Sequence, residues 1–574
     1  MKKIIYLVIT VLLCTSCESF LDTESYTKKN SENFPVNEED ASQLLTAVYA
    51  TLSKGQESPG NAWFFVTELA SDDRYGGGGE NDKDFMCLGH LLYTNLDRFQ
   101  SFWAARYTGI GRANMTIASL ENVADEEVRN QKTGEALFLR AYFYFDLVQM
   151  FGDVPLISKA PENVKEAQTA PEQTSQEEIF KYIAQDLKTA YDIMPAYQWN
   201  EVLSGTVTKW AAAGLLARVY LFYTGFYQKS SLPLADGGEV TKAEVVAALE
   251  SCMNNSGHGL LSDFRSIWPY SNKLTKKDYA YVADAPEWVR DGDNKEQVFS
   301  VKCSRLGDWD TTTGYANQFS LYFGVRNDGQ NDRYKNIMPL GQGWGAGPVT
   351  PNLWNEWKAD EPTDPRRVAS IYNVEEESAG YVYGADSQME ETGLWQKKII
   401  ATRAKKNDTE FWNVFTSSSE YWGDDLSDNF QLGNETDLCV IRYADILLMH
   451  SELTETTNGI NQVRGRVGLS PLGGYSLSAL QKERRYELAF EGVRWGDIRR
   501  WHIAEAALAK KIGQPIYNRG IAKTMKAQGA GYAARYQATK GFMPIPLSEV
   551  ELSDGALKQN DGWGTDALFV NWND

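Results

Sequence analysis

The most informative motif of the chain is Glu483-Arg-Arg-Tyr-Glu-Leu-Ala-Phe-Glu-Gly-Val-Arg-Trp-Gly-Asp-Ile-Arg-Arg-Trp501. Its apolar residues recur mostly at steps of three and four, which is typical of a buried helix face, and acids and bases lie between them at spacings that allow pairing. An exposed helix needs neither the two tryptophans nor the two glycines, so we predict that the motif packs closely, within a helix over 478–501. The charges fit either a binding surface or a structural clamp, and the rest of the chain favours the clamp. The residues that we expect to form its ion pairs are Glu487, Arg494, Asp497 and Arg499.

Long amphipathic segments with short connections make up most of the remaining regular structure that the sequence predicts. Helices of about 15–20 residues joined in this way predict stacked helical hairpins of the tetratricopeptide type. The first helix follows Asn37, whose side chain is a good N-cap. The predicted helices are 38–55, 102–122, 134–151, 177–194, 208–223, 241–252, 438–455, 460–467 and 478–501. We therefore assign a helical scaffold to about 37–254 and 438–511.

The segment at about 255–437 differs from the rest of the chain in periodicity and composition. Helical periodicity is lost, and Gly, Asp, Asn and aromatic residues alternate with short strand-like pieces such as 297–301. The segment holds nine of the 17 tryptophans: Trp268, Trp288, Trp309, Trp344, Trp354, Trp357, Trp395, Trp412 and Trp422. We expect about two-thirds of them to form small cores beneath long loops, and the others to be candidates for a ligand surface. The predicted fold is dominated by α-helix, with tetratricopeptide-like hairpins, a large aromatic-rich loop insertion and a few short strands.

The N-terminus carries a targeting signal. Two lysines precede an apolar run at 4–13, which is too short to span a bilayer but suits a signal peptide. The run ends in Leu13-Cys14-Thr15-Ser16-Cys17, which resembles a bacterial lipobox. We predict a lipoprotein signal peptide at 1–16, a lipid anchor on Cys17 and a single domain over 17–574, with an ordinary secretory signal as the alternative. No later apolar run approaches the roughly 18 residues of a membrane helix, so the lipid is the only membrane contact that we predict.

Composition and missing motifs argue against several classes of function. The formal net charge is −20 and no basic block offsets it, so we predict no nucleic-acid partner. The four histidines form no close cluster, and neither His-Glu-x-x-His nor Gly-x-Ser-x-Gly occurs. The sequence therefore lacks the motifs of zinc hydrolases and of hydrolases with a nucleophile elbow. The acidic turns at 291–294 and 424–425 do not continue as calcium-binding EF-hand loops. We predict no cofactor, no metal and no enzymatic activity; the 77 acidic residues leave a surface glycoside hydrolase as an alternative.

A series of motifs runs in a fixed order through nearly the whole chain. The segments are Cys17-Glu-Ser-Phe-Leu-Asp22, Trp103 to Asn114, Glu135-Ala-Leu-Phe-Leu-Arg-Ala-Tyr-Phe-Tyr-Phe-Asp-Leu147, Phe151-Gly-Asp-Val-Pro155, Arg442-Tyr-Ala-Asp-Ile-Leu-Leu-Met449, Val463-Arg-Gly-Arg-Val-Gly468, Glu483 to Trp501, Pro544-Ile-Pro546 and Leu557-Lys-Gln-Asn560. Together they resemble the SusD-like (SusD/RagB) family of outer-membrane nutrient-binding lipoproteins.

The resemblance implies an all-α fold of tetratricopeptide-like hairpins with a loop-rich ligand face. It also implies a lipid-anchored outer-membrane protein that faces the cell exterior. Such a protein captures oligosaccharides or polysaccharides and delivers them to a SusC-like TonB-dependent transporter. Because the family also has peptide-binding members, a peptide ligand is the alternative.

Two regions, 71–85 and 303–344, hold the side chains that a glycan needs. Sugars present apolar C–H faces, which suit flat aromatic rings, and hydroxyls, which need planar donors and acceptors. The first region includes four consecutive glycines, whose ordering costs much backbone entropy, so this loop is either mobile or shaped around something. The candidate ligand-binding residues are Asp72, Asp73, Arg74, Asn81, Trp103, Arg305, Trp309, Tyr315 and Trp344. The resemblance supports both regions without transferring a motif residue by residue.

Overall fold

Helices dominate the computed structural model, which describes residues 34–163, 166, 172–290, 292–307, 313–326, 337–378, 380–406, 410–413 and 431–570. The helices are α1 Glu38–Glu57, α2 Trp63–Leu69, α3 Lys83–His90, α4 Gln100–Ser119, α5 Glu126–Phe151, α6 Gln176–Ile193, α7 Lys209–Phe226, α8 Lys242–Asn255, α9 Gln318–Tyr322, α10 Pro351–Asp360, α11 Pro365–Ser370, α12 Val374–Glu377, α13 Tyr443–Thr454, α14 Asn458–Arg466, α15 Leu477–Glu487, α16 Arg494–Arg500, α17 Ala504–Ala509, α18 Tyr532–Thr539 and α19 Leu547–Leu552. This architecture confirms the predicted fold class.

Strands are short and form two-stranded pairs within the described ranges. They are β1 Val154–Pro155, β2 Gln173–Thr174, β3 Leu232–Pro233, β4 Glu239–Val240, β5 Gln297–Val301, β6 Val325–Arg326, β7 Gln342–Gly343, β8 Ile371–Asn373, β9 Leu394–Gln396, β10 Arg403–Lys406, β11 Glu410–Asn413, β12 Leu438–Arg442, β13 Pro515–Asn518 and β14 Ile521–Thr524. The antiparallel pair β5–β12 joins residues 297–301 of the loop-rich insertion to the segment that directly follows the insertion.

Local sequence explains where the scaffold helices begin. The Asn37 side chain accepts a hydrogen bond from the Asp40 amide at 2.9 Å, and Thr241 and Glu244 form a reciprocal capping box at the start of α8. From α4 to α8 each helix packs against the next, and α8 packs against α13. The scaffold therefore continues across the insertion and shares one large apolar core.

Small satellite cores lie beneath the loops of the insertion, as we expected from its tryptophans. One core surrounds Trp268, a second includes Trp395, and a third contains Trp354 and Trp357 packed on α15. Trp288 is also buried. Among the tryptophans of 255–437 whose side chains the structure describes, Trp344 alone is partly exposed to solvent.

Three predicted helices have wrong boundaries. The helix predicted at 134–151 begins instead at Glu126, where the Asp125 side chain accepts a hydrogen bond from the Val128 amide. The prediction of one helix over 478–501 fails because α15 ends at Glu487 and α16 begins at Arg494. Between them the backbone has positive φ at Phe490 (68°) and Gly492 (74°), and left-handed residues interrupt a right-handed helix. The segment predicted as a helix from 438 begins instead as β12, because it pairs with β5.

Among the helices of the described residues, none combines the length and apolar character that crossing a bilayer requires. The predicted signal peptide and the lipid-anchor residue Cys17 lie outside the described residues.

Candidate functional site

A buried ionic network, centred on Glu487, ties the loop insertion to the scaffold. The Glu487 carboxylate accepts hydrogen bonds from Arg366 at 3.0 Å and Arg442 at 2.9 Å, and a closer one from Arg466. Glu491 contacts Arg442 at 2.7 Å. Burial raises the pKa of Glu487, but the three guanidinium groups outweigh it and hold that pKa well below its ordinary value.

The clamp prediction holds for three of its four charged residues. Glu487, Arg494 and Asp497 form ion pairs, whereas Arg499 does not fit the prediction. The Arg499 guanidinium donates to the main-chain oxygen of Gln149 at 2.9 Å and lies against aromatic rings such as that of Phe542. Burial therefore lowers its pKa, since no carboxylate among the described residues contacts it to offset the loss of solvent.

Asp72 and Asp73, predicted to bind ligand, belong instead to this buried charge system. Arg494 donates to both oxygens of Asp72 at 2.8 Å, and Arg485 donates to Asp73 at 2.6 and 2.9 Å. The two acids are only 2 and 3 % exposed. Burial raises the pKa of Asp72, but Arg494 and Arg485 outweigh this and keep it ionised. Carboxylates sealed in ion pairs offer no free oxygen to a ligand, which corrects the prediction for both residues.

Arg74 is also structural. Its side chain is fully buried, pairs with Glu68 at 2.6 Å and lies over the rings of Phe323 and Phe490. Trp103, the predicted ligand-binding residue on α4, is 4 % exposed and packs edge-on against Phe151. Neither side chain reaches the surface, so the prediction that they contact a ligand is corrected as well.

We expect Arg494→Ala to lower the free energy of unfolding by about 2–4 kcal/mol, because it leaves Asp72 buried with only the 3.2 Å contact to Arg485. Ligand affinity of the folded fraction should stay unchanged. Chemical unfolding followed by tryptophan fluorescence measures the first quantity and calorimetry the second. Lys181→Ala, which removes a surface pair with Glu178, serves as the control and should change stability by less than about 1 kcal/mol. Loss of affinity with unchanged stability would instead make Arg494 a binding residue.

The four-glycine loop is shaped by close backbone packing. The Gly77 amide donates to Glu390 at 2.9 Å, and the Gly78 amide donates to the main-chain oxygen of Gly345 at 2.8 Å. A Cβ on Gly76 would lie 2.4 Å from the main-chain oxygen of Phe85. The glycines therefore allow the loop backbone to approach its neighbours closely. Because the loop is hydrogen-bonded to Gly345, it is held next to Trp344, the preceding residue.

Gly77→Ala should destabilise the protein by about 2–3 kcal/mol, because Gly77 has a φ of +68° and a Cβ would lie 2.4 Å from the Gly345 oxygen. The same change should weaken ligand binding, since the loop supports Trp344. Thermal unfolding and calorimetry test the two effects. Gly465→Ala is the control: its Cβ meets open space in α14, so stability should rise slightly. Equal stabilities of the two variants would contradict the packing role.

An aromatic and charged surface forms where this loop meets Trp344. The Trp344 ring lies 4.5 Å from that of Tyr322, at an angle of 43°. Arg326 donates to the Trp344 main-chain oxygen at 3.0 Å and to Asp82 at 2.8 Å. Asn81 is exposed beside Asp82. We call Asn81, Asp82, Tyr322, Arg326 and Trp344 the Trp344 surface.

The Trp344 surface offers two kinds of contact to a ligand. The partly exposed indole supplies a flat apolar face, and Asn81, Asp82 and Arg326 supply donors and acceptors at its side. Burial raises the pKa of Tyr322 to about 12, so its hydroxyl stays neutral near pH 7. The sequence singled out Asn81 and Trp344 but missed Asp82, Tyr322 and Arg326. Nothing local distinguished them, because Arg326 joins residues that are far apart in the chain.

The other predicted residues lie elsewhere. Tyr315 is 47 % exposed and borders a groove of about 460 Å³ between α1, residues 203–206 and residues 300–304. Arg305 is partly exposed and follows Ser304, whose amide donates to the Tyr315 main-chain oxygen at 2.6 Å. Trp309 lies outside the described residues. The structure thus brings Asn81 and Trp344 together and places Tyr315 at a separate groove, with Arg305 next in the chain to Ser304 of its lining.

Known proteins are similar to this chain in both sequence and fold. Residues 19–221 match a family described as "Starch-binding associating with outer membrane", and residues 311–563 match the SusD family. A relative from Formosa agariphila, "SusD-like protein P2", is 24 % identical over 486 residues, which cover 81 % of this chain and 80 % of the relative.

Two solved structures extend the likeness to three dimensions. A "Laminarin binding SusD-like protein" is similar with a TM-score of 0.67 and 26 % identity, over 92 % of this chain and 100 % of that one. "Surface glycan-binding protein A" of Bacteroides thetaiotaomicron, solved with laminarihexaose, has a TM-score of 0.65 and 18 % identity, over 92 % and 100 % of the two chains. With both family matches spread along the sequence and the fold shared throughout, the chain belongs to the SusD/RagB family.

Proposed function

We propose that this protein is a surface glycan-binding protein whose ligand contacts the Trp344 surface. The observation that carries the proposal is the exposure of Trp344. The five other tryptophans of the insertion whose side chains the structure describes are buried, while this indole lies partly in solvent beside exposed Asn81 and the Arg326–Asp82 pair. An aromatic face with hydrogen-bonding groups at its edge is the chemistry that a sugar ring needs.

The names of similar structures support a glycan as the ligand. The similar proteins include one that binds laminarin and one solved with laminarihexaose. Laminarin-type glucan is therefore our first probe. Binding without catalysis is the activity that we propose, in keeping with a family described as starch-binding.

We further propose that residues 17–574 act as one unit that is anchored to the outer membrane through a lipid on Cys17 and faces the cell exterior. The family description as associating with the outer membrane supports this location. In this arrangement the protein would deliver its ligand to a SusC-like TonB-dependent transporter. Co-purification of the full-length protein with the transporter from the membranes of its native host, compared with a Cys17→Ala variant, tests the anchor and the partner together.

An array of dietary and host polysaccharides beside peptide mixtures tests the ligand class. We expect binding to one or more glycans, including laminarin, without release of shorter products. Binding to peptides alone would contradict the proposal and favour a peptide receptor on the same fold. Release of shorter sugars during incubation would favour a surface glycoside hydrolase.

A further inference from the structure

A second aromatic surface lies on the hairpin β13–β14. The rings of Tyr383 and Tyr517 are stacked 3.7 Å apart at an angle of 10°, and both side chains are partly exposed. Val382, the neighbour of Tyr383 in the chain, is 56 % exposed. Tyr517 pairs with Ala522 across the hairpin, so the Tyr517 ring lies on one face of the hairpin and leaves part of the stacked pair in solvent. We call Val382, Tyr383, Tyr517 and Arg519 the Tyr517 surface.

Close glycine contact sets the position of the stacked pair. A Cβ on Gly384 would lie 2.2 Å from the Gly520 amide nitrogen, and both residues have positive φ. The Tyr517 amide donates to the Glu391 main-chain oxygen at 2.7 Å, and the Glu391 amide donates back to that of Tyr517 at 2.9 Å. Two backbone segments thus hold the two rings face to face in a fixed geometry.

The two surfaces are joined by a short chain of contacts. The Gln388 side chain donates to the Gly345 main-chain oxygen at 3.0 Å, and the Gln388 main-chain oxygen accepts from the Arg519 amide at 2.8 Å. Gln388 therefore lies directly between the neighbour of Trp344 and the turn of the hairpin.

Charged side chains also connect the Trp344 surface to the Tyr517 surface. Arg326 pairs with Asp386 at 2.8 Å, and Asp386 is three residues from Tyr383. Arg519 contacts Glu80, the neighbour of Asn81, at 3.5 Å. The polar side chains that border Trp344 therefore also border the hairpin.

We propose that the Tyr517 surface is a second glycan subsite, and that one oligosaccharide chain spans it and the Trp344 surface. The inference rests on the proposed function and adds to it that the ligand is a chain of several sugar units. A distal unit would pack on the exposed apolar and aromatic groups, with Arg519 and Asp386 as hydrogen-bonding partners for its hydroxyls. The protein then selects long oligosaccharides over short ones.

A purely structural role explains less of the arrangement. Stacking alone would stabilise the hairpin, but burying both rings fully would stabilise it further, and both stay partly exposed. A rigid, partly exposed aromatic pair with charged side chains near it has the chemistry of a sugar-binding surface.

Calorimetry with laminaribiose and laminarihexaose tests the inference; if the array selects another polysaccharide, its own di- and hexasaccharides are used. We expect the wild-type protein to bind the hexasaccharide more tightly than the disaccharide. Tyr517→Ala should weaken hexasaccharide binding about tenfold and leave disaccharide binding unchanged. Tyr517→Phe keeps the ring and should bind as the wild type does, whereas Tyr517→Leu keeps apolar area without a flat face and should resemble Tyr517→Ala.

The outcomes separate the two proposals. Unchanged hexasaccharide affinity in Tyr517→Ala, with the wild type still binding, would overturn the second subsite alone. An equal loss for both lengths would also overturn it, because the residue would then act through the Trp344 surface. Failure of the wild type to bind any glycan would overturn the proposed function and the subsite with it. A thermal unfolding curve for each variant confirms that affinities refer to folded protein.

Discussion

Replacing Glu487 by Gln should lower the free energy of unfolding by about 3–5 kcal/mol, among the largest effects of a single substitution in this protein. The carboxylate is fully buried and faces Arg366, Arg442 and Arg466. A neutral amide cannot balance three guanidinium groups, and its nitrogen adds a donor where only acceptors fit. Urea unfolding followed by circular dichroism measures the loss.

The pH dependence of the unfolding free energy gives this prediction a second test. The pKa of Glu487 is held well below its ordinary value in the folded protein, so its contribution to stability is present above the unfolded-state pKa of about 4.3. That contribution is lost as the pH falls through the folded-state pKa. The stability difference between wild type and Glu487→Gln should therefore shrink progressively below about pH 4.

Glu121→Gln provides a matched control, because Glu121 is exposed. Its stability should stay within about 0.5 kcal/mol of the wild type. Comparable stabilities of the two variants at pH 7 would show that Glu487 does not clamp the insertion to the scaffold.

Replacing Trp344 by Ala should weaken glycan binding by about 2 kcal/mol or more, which is about thirtyfold in the dissociation constant. The indole is the flat apolar face of the proposed site, and its partial exposure makes it accessible to a sugar. Truncation removes that face and leaves Tyr322, whose ring contacts both Trp344 and Phe85 in the wild type. Calorimetry with laminarihexaose, or with the glycan that the array selects, gives the affinity.

Two further variants sharpen this experiment. Trp344→Phe keeps a smaller ring and should retain part of the affinity. Trp199→Ala removes a partly exposed tryptophan from the scaffold and should bind as the wild type does. If Trp199→Ala loses as much affinity as Trp344→Ala, the ligand site is not at the Trp344 surface.

Much of the scaffold follows from local sequence. Asn37 and the Thr241–Glu244 pair mark helix starts, because a cap contacts amides only two or three residues away. The insertion could likewise be recognised from its lost periodicity and dense tryptophans. Both signals depend on near neighbours in the chain, which a sequence displays directly.

Long-range contacts account for the predictions that fail. The break between α15 and α16 is stabilised by the Gly492 amide donating to Glu68 at 2.8 Å, across 424 residues. Asp72 is fully paired because Arg494 reaches it from 422 residues away. A sequence pattern shows that an acid or an arginine is present, but it does not show which partner will satisfy it.

The sequence by itself determined the helical hairpins and the family, because these depend on periodicity, capping and ordered motifs. Only the tertiary structure decided how the residues of 483–501 divide: Glu487 and Arg494 act in a clamp, while Arg499 packs among aromatic rings. It also separated Trp344 from the buried tryptophans that look like it in sequence. The physical reason is that burial and ion pairing are properties of the folded surroundings, which distant segments of the chain supply.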